Sequence, residues 1–109
     1  QPTVEAWRSL GLLYEEGRDW NAAVRSYGAL LAMNPADGQA LYRRGMAYLE
    51  QGEPHKALAD IDGAARLHPE EKIIGLSRQR AQRMVEESEA KKVQAQPGST
   101  SETASPGGT

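Results

Sequence analysis

The sequence predicts an all-α protein: a helical-hairpin solenoid of two repeats plus a C-terminal capping helix. Three observations carry that prediction. A shift of 34 residues superimposes one stretch of the chain on the next. Each copy places apolar residues at helical spacing, broken once by turn residues. Beyond Pro69 the helical spacing continues, but the landmarks of the repeat stop.

The copies run from Val4 to Asp37 (residues 4–37) and from Gly38 to Glu71 (residues 38–71). Under the shift Ala6 falls on Ala40, Gly11 on Gly45, Tyr14 on Tyr48, Glu16 on Glu50, Ala23 on Ala57 and Pro35 on Pro69. These identities concentrate at small, aromatic and proline positions, where packing leaves least choice. In the first copy Val4, Trp7, Leu10, Gly11 and Tyr14 mark a helix that Gly17-Arg-Asp19 interrupts. Asp19 is the expected N-cap of a second helix, whose apolar stripe is Trp20, Ala23, Val24, Tyr27, Leu30 and Leu31; Pro35 closes the unit. In the second copy Leu41, Gly45 and Tyr48 mark the first helix and Gly52 ends it. Pro54 sits in the first turn of the next, where its missing N–H costs nothing. Ala57, Leu58, Ile61, Ala64, Ala65 and Leu67 form its stripe.

Small residues at the repeat period predict close helix crossings at Gly11, Gly45, Ala23, Ala57 and Ala64. Residues 70–93 read as one long capping helix. Ile73, Ile74, Ser77, Ala81, Met84 and Val85 form its inner stripe, with Arg83–Glu87 and Glu87–Lys91 as intrahelical pairs. A third full repeat needs Gly near Gln79 and Tyr near Gln82, and neither is there. Residues 94–109, rich in Gly, Pro, Ser and Thr, are expected to be a disordered tail.

The landmarks together resemble the tetratricopeptide repeat (TPR) family, whose pattern W-x2-L-G-x2-Y appears as Trp7, Leu10, Gly11 and Tyr14, followed by Ala23, Tyr27 and Pro35. The second copy has Leu41 in the Trp position, then Gly45, Tyr48, Ala57, Ile61, Ala64 and Pro69. It departs from the pattern at Arg44, where the family has Leu, and the first copy departs at Leu30, where it usually has Ala.

Composition narrows the functions. The chain has no cysteine, which excludes disulfides and Cys-based metal sites and suits a reducing, cytoplasmic setting. Thirteen basic residues against fifteen acidic ones leave no overall basic footprint, so a nucleic-acid partner is not expected; nor is a membrane, since no apolar run approaches a span. His55 and His68 lack metal-ligand spacing, and adjacent glutamates on a helix diverge by about 100° rather than forming an acid–base pair. No catalytic residue, metal or cofactor is expected. Gln1 rather than methionine opens the chain, which reads as a processed product or a piece of something longer.

The resemblance implies protein–protein interaction. By family analogy the first helix of each repeat lines a concave inner face at Glu5, Arg8, Ser9, Leu12, Glu15 and Glu16, then at Gln39, Tyr42, Arg43, Met46, Leu49 and Glu50. Of these, Arg8, Ser9, Leu12, Gln39, Tyr42, Arg43 and Met46 are the candidate contacts for a protein or peptide ligand. The second copy is similar, more narrowly, to the last repeat of chaperone-linked TPR domains, including those of large immunophilins. That repeat reads K-A-L-Y-R-R-G, and its Lys and first Arg clamp the acidic C-terminal tail of heat-shock chaperones. Arg43 falls on the clamp arginine, but Gln39 stands where the lysine would be and Ser9 where an asparagine would be. The alternative is an assembly role, by self-association or as the C-terminal piece of a larger TPR protein. Leu12 and Leu13 motivate it, because they widen the apolar face of the first helix beyond what its hairpin partner needs.

Overall fold

In the computed structural model, which describes residues 2–95, the chain forms five helices: α1 (Val4–Glu16), α2 (Trp20–Met33), α3 (Gly38–Glu50), α4 (Pro54–Leu67) and α5 (Lys72–Ala95). Repeat-related residues start them. Thr3 and Asp37, one period apart, cap α1 and α3 by accepting from Ala6 N and Ala40 N, each at 3.0 Å. Asp19 caps α2 by accepting from Ala22 N at 3.1 Å. Its counterpart Glu53 makes no side-chain cap, and Pro54 opens α4 instead.

The two intra-hairpin turns are copies of each other. The amide of Asp19 donates to Tyr14 O and that of Glu53 to Tyr48 O, both at 2.9 Å. The second turn places Gly52 in the left-handed region (φ 76°), where a residue without Cβ sits freely. In the first turn the sequence points to the stretch Gly17-Arg-Asp19 as the break. Gly17 has φ −82°, however, and Arg18 takes the left-handed conformation at φ 59°.

Each hairpin closes over a glycine. A Cβ on Gly11 would lie 2.5 Å from the Tyr27 ring, and one on Gly45 would lie 2.6 Å from Ile61 Cγ1. Tyr27 and Ile61 are themselves one period apart and both fully buried. The core has two parts, one built on Ala23, Tyr27, Leu30 and Leu31 of α2, the other on Ala57, Ile61 and Ala64 of α4; Leu41 packs against both. Complete burial of Leu30 and Ile61 contributes roughly 1.5–3 kcal/mol each.

Ala40 and Ala47 of α3 are buried in the α2 cluster, and Ile74 and Ala81, one period on, are buried in the α4 cluster. α5 therefore stands where the first helix of a third repeat would stand, in register. On the side where α3 presents Gly45 and Tyr48 to its hairpin partner, α5 presents the exposed Gln79 and Gln82.

Several expectations for the C-terminal part need correction. α5 begins at Lys72 and continues to Ala95, so Gln94 and Ala95, expected in the tail, are helical; the rest of that segment, 96–109, lies outside the described residues. Ile73, placed in the inner stripe, is exposed because Ile74 already occupies the position facing α4, and Leu67 at the end of α4 is exposed as well. The intrahelical pairs Arg83–Glu87 and Glu87–Lys91 do not form among the described residues. Instead α5 reaches to α4, through Arg78 to Asp62 at 3.2 Å and Glu89 to His55 at 2.7 Å.

Candidate functional site

Hydrogen bonds between successive repeats align α1, α3 and α5 along one face. Arg8 of α1 donates to Gln39 of α3 at 3.2 Å, Arg43 of α3 donates to Glu15 of α1 at 3.0 Å, and the hydroxyls of Tyr42 in α3 and Ser77 in α5 are 3.3 Å apart. Two clefts open on that face, one on each side of Arg43. The smaller, about 320 Å3, is lined by Gln39, Tyr42, Arg43, His68, Glu71, Ile73 and Ile74. The larger, about 630 Å3, is lined by Ser9, Leu12, Leu13, Glu15, Glu16, Trp20 and Arg43.

The seven candidate contact residues divide accordingly. Gln39 and Tyr42 line the first cleft, Ser9 and Leu12 the second, and Arg43 both. Arg8 and Met46 line neither; Met46 is half-buried against the α4 core cluster. Leu49, expected on the inner face, is buried in that cluster too, among residues of α4 and α5.

Both inner-face arginines are already committed to carboxylates. The Arg8 guanidinium makes a two-pronged contact with Asp37, at 2.5 and 3.3 Å, which holds the Asp37 carboxyl below its ordinary range and pushes the arginine further up. Asp37 thus fastens α1 to α3 while it caps α3. Glu15 accepts from Arg43 with one oxygen and from the Tyr27 hydroxyl with the other. Burial, reinforced by the hydrogen bond to that carboxylate, raises the Tyr27 phenol. Arg43 Nε is buried without a protein partner. Arg44, one residue on, points away from the groove into the α3/α4 hairpin, where it grips Asp60.

The contribution of the α4–α5 turn was not apparent in the sequence. His68, Glu71 and Ile73 line the first cleft, and the available signal was Ile73 beside Ile74, one apolar residue more than a single stripe uses. Trp20 in the second cleft was assigned only to the α2 stripe. Among the described residues no cluster of His, Cys, Asp or Glu has the arrangement of a metal site, and no helix is long and apolar enough to cross a membrane.

Paired helices stacked in register, with a groove along their first members, define a helical-repeat protein-interaction module. The sequence profile of the tetratricopeptide repeat family matches residues 8–72, and the chain belongs to that family. Among solved structures, the chain is similar to one from work on the molecular features of the UNC-45 chaperone critical for binding and folding muscle myosin. The TM-score is 0.75 at 25% identity over 84% of this chain, which spans only 10% of that chain's length.

Proposed function

We propose that this chain holds a segment of another protein along the inner face of α1, α3 and α5, with Arg43 between the two seats. The observation that carries the reading is the pair of clefts meeting at Arg43, each combining apolar side chains with polar rims: Tyr42, Ile73 and Ile74 in one, Leu12, Leu13 and Trp20 in the other. In this reading Ser9, Leu12, Gln39, Tyr42 and Arg43 touch the ligand directly. Arg8 acts from behind by fixing Gln39, and Met46 by supporting the floor. The cysteine-free composition suits a cytoplasmic setting for this activity.

The structural relative, described as a chaperone, favours a co-chaperone role in which the groove takes the acidic tail of a partner chaperone. The electrostatics of the groove favour a neutral or mixed segment over that tail. Arg8 and Arg43 are neutralised by Asp37 and Glu15, and Glu16 and Glu71 add carboxylates at the cleft rims. An acidic tail would have to displace bonds already made.

Peptides selected from a random display library on the immobilised chain test the groove. The expected result is amide NMR shifts at Ser9, Gln39, Tyr42 and Ile73 and weaker binding by Arg43→Ala. Shifts confined to the outer faces of α2 and α4 would overturn it. A parallel titration with a peptide ending in Glu-Glu-Val-Asp addresses the tail: tight binding that Arg43→Ala abolishes would establish the clamp, and no binding would leave the mixed segment.

A further inference from the structure

α5 repeats the groove face of α3 with different chemistry. Ile73, Leu76 and Arg80 stand one period beyond Gln39, Tyr42 and Met46. At about 100° per residue the three fall within an arc of about 60°. Ser77, which meets Tyr42, borders that arc, whereas Arg78 and Glu89, which reach to α4, lie on the opposite flank of the buried stripe. Ile73 is 56% and Leu76 60% exposed, and Arg80 is exposed beside them. Gln39 and Tyr42 still line a cleft after α4 and α5 have packed on α3, so the equivalent positions of α5 belong to the groove whatever packs beyond them.

The uncommitted positive charge of the groove lies on this helix. Arg8 and Arg43 are closed by Asp37 and Glu15, and Arg78 on the far flank by Asp62. Arg80 and Arg83 have no ion pair among the described residues. The residues three and four away from Arg80 on its own helix are Leu76, Ser77, Arg83 and Met84, none of them a carboxylate. Glu71, at the rim of the cleft, precedes Ile73 at the opposite end of the row. Along α5 the groove therefore reads acidic, aliphatic, then basic.

We infer that the segment held in the groove carries an apolar residue followed by an acidic one, and that the acidic side chain is received by Arg80 rather than Arg43. The inference rests on the groove reading above and adds the place and sign of the ligand's charge. Leu76 and Arg80, four apart on a helix, are neighbours about 6 Å apart, and side chains two positions apart on one side of an extended segment are about 6–7 Å apart. An apolar residue with Asp or Glu two positions away fits that pair. The Arg80 guanidinium offers the carboxylate two parallel N–H donors without displacing a bond, whereas Arg43 already donates to Glu15.

Peptides selected from a random display library, in parallel on the chain and on its Arg80→Glu variant, test the inference; the exposed side chain makes the exchange harmless to the core. The chain is expected to enrich Asp or Glu two positions from an apolar residue, and the variant Lys or Arg at the same position. A selected acidic peptide is expected to shift the amides of Leu76 and Arg80 and to bind about fivefold more weakly to Arg80→Ala. Pools without a charge preference overturn the inference, as does an acidic preference that Arg80→Glu retains. In either case shifts at Gln39, Tyr42 and Ile73 leave the groove standing without it. Shifts confined to the outer faces of α2 and α4, or a library that yields no binder, overturn both readings.

Discussion

Arg44 holds Asp60 in a two-pronged grip across the α3/α4 hairpin, with Nε at 2.7 Å and Nη2 at 2.9 Å from the two carboxylate oxygens. The same two positions in the first hairpin hold Leu10 and Ser26. Asp60 and Ser26 are both buried, so the second repeat has exchanged an apolar–hydroxyl pair for an ion pair at one packing site. Arg44 also lies 5.7 Å from the centroid of the Tyr48 ring, and its hydrogen bonds with Asp60, outweighing the desolvation that opposes them, push its guanidinium's proton affinity upward.

Removing one partner strands the other. Asp60→Ala is expected to cost about 2–3 kcal/mol, less than a fully buried pair because a quarter of the Arg44 side chain remains exposed. The double replacement Arg44→Leu/Asp60→Ser, which installs the pair of the first hairpin, should return stability to within about 1 kcal/mol of the original. Urea midpoints of the two singles and the double close the cycle. A double as unstable as Asp60→Ala would show that the second hairpin cannot accept the first hairpin's solution.

Arg18 carries a strain that its repeat mate avoids. At φ 59° it pays for its Cβ, whereas Gly52 in the equivalent turn does not. Arg18→Gly should therefore stabilise the chain by roughly 0.5–1 kcal/mol, a net of relieved strain and added freedom in the unfolded state. Thermal and urea unfolding measure it, and a loss of stability would contradict the equivalence of the turns.

At the second hairpin crossing, Gly45→Leu should destabilise by at least about 1–3 kcal/mol. The first added carbon already meets Ile61 at 2.6 Å and the Ala57 carbonyl at 3.2 Å, and the carbonyl belongs to the backbone of α4 and yields little. An unchanged urea midpoint would refute the tight crossing.

Acid stability should depend on Asp37. Its hydrogen bonds with Arg8 lower the carboxyl below its ordinary 3.8, so the folded state binds that proton less readily than the unfolded chain. The resulting stability is fully present above about pH 4 and is lost as the pH falls through the lowered folded value. Asp37→Asn should be less stable at neutral pH and show a shallower decline between pH 5 and 2, when followed by circular dichroism. Parallel acid limbs for the two proteins would exclude Asp37 as a contributor.

Much of the fold was legible because its signals are local or strictly periodic. Asp19 as a cap, Pro54 at a helix start, Gly52 as a stop and Gly11 and Gly45 at crossings each follow from what one residue type does best at one backbone position. The candidate site was legible only in part. The inner-face positions came from family analogy; Gln39, Tyr42 and Arg43 line one cleft, but the analogy does not indicate that Leu49 is buried in the α4 core cluster or that Ile73 joins Tyr42 from the next helix.

By itself, the sequence determined the period, the five helices and most of the residues each one buries, since spacing along a helix fixes direction around it. The tertiary structure decided what the arginines do. Arg8, Arg43 and Arg44 find Asp37, Glu15 and Asp60 at separations of 29, 28 and 16 residues, two of them between repeats and one within a hairpin. It also decided that Leu13 lies open while Ala47, its repeat mate, is sealed. The two inter-repeat pairs depend on how one hairpin packs on the next, through Tyr27, Ala40, Ala47 and the residues around them, whereas the Arg44 pair depends on the α3/α4 crossing, and no described helix lies over Leu13. Adjacent arginines with the same local sequence therefore finish in different environments, Arg43 at the groove and Arg44 inside the hairpin.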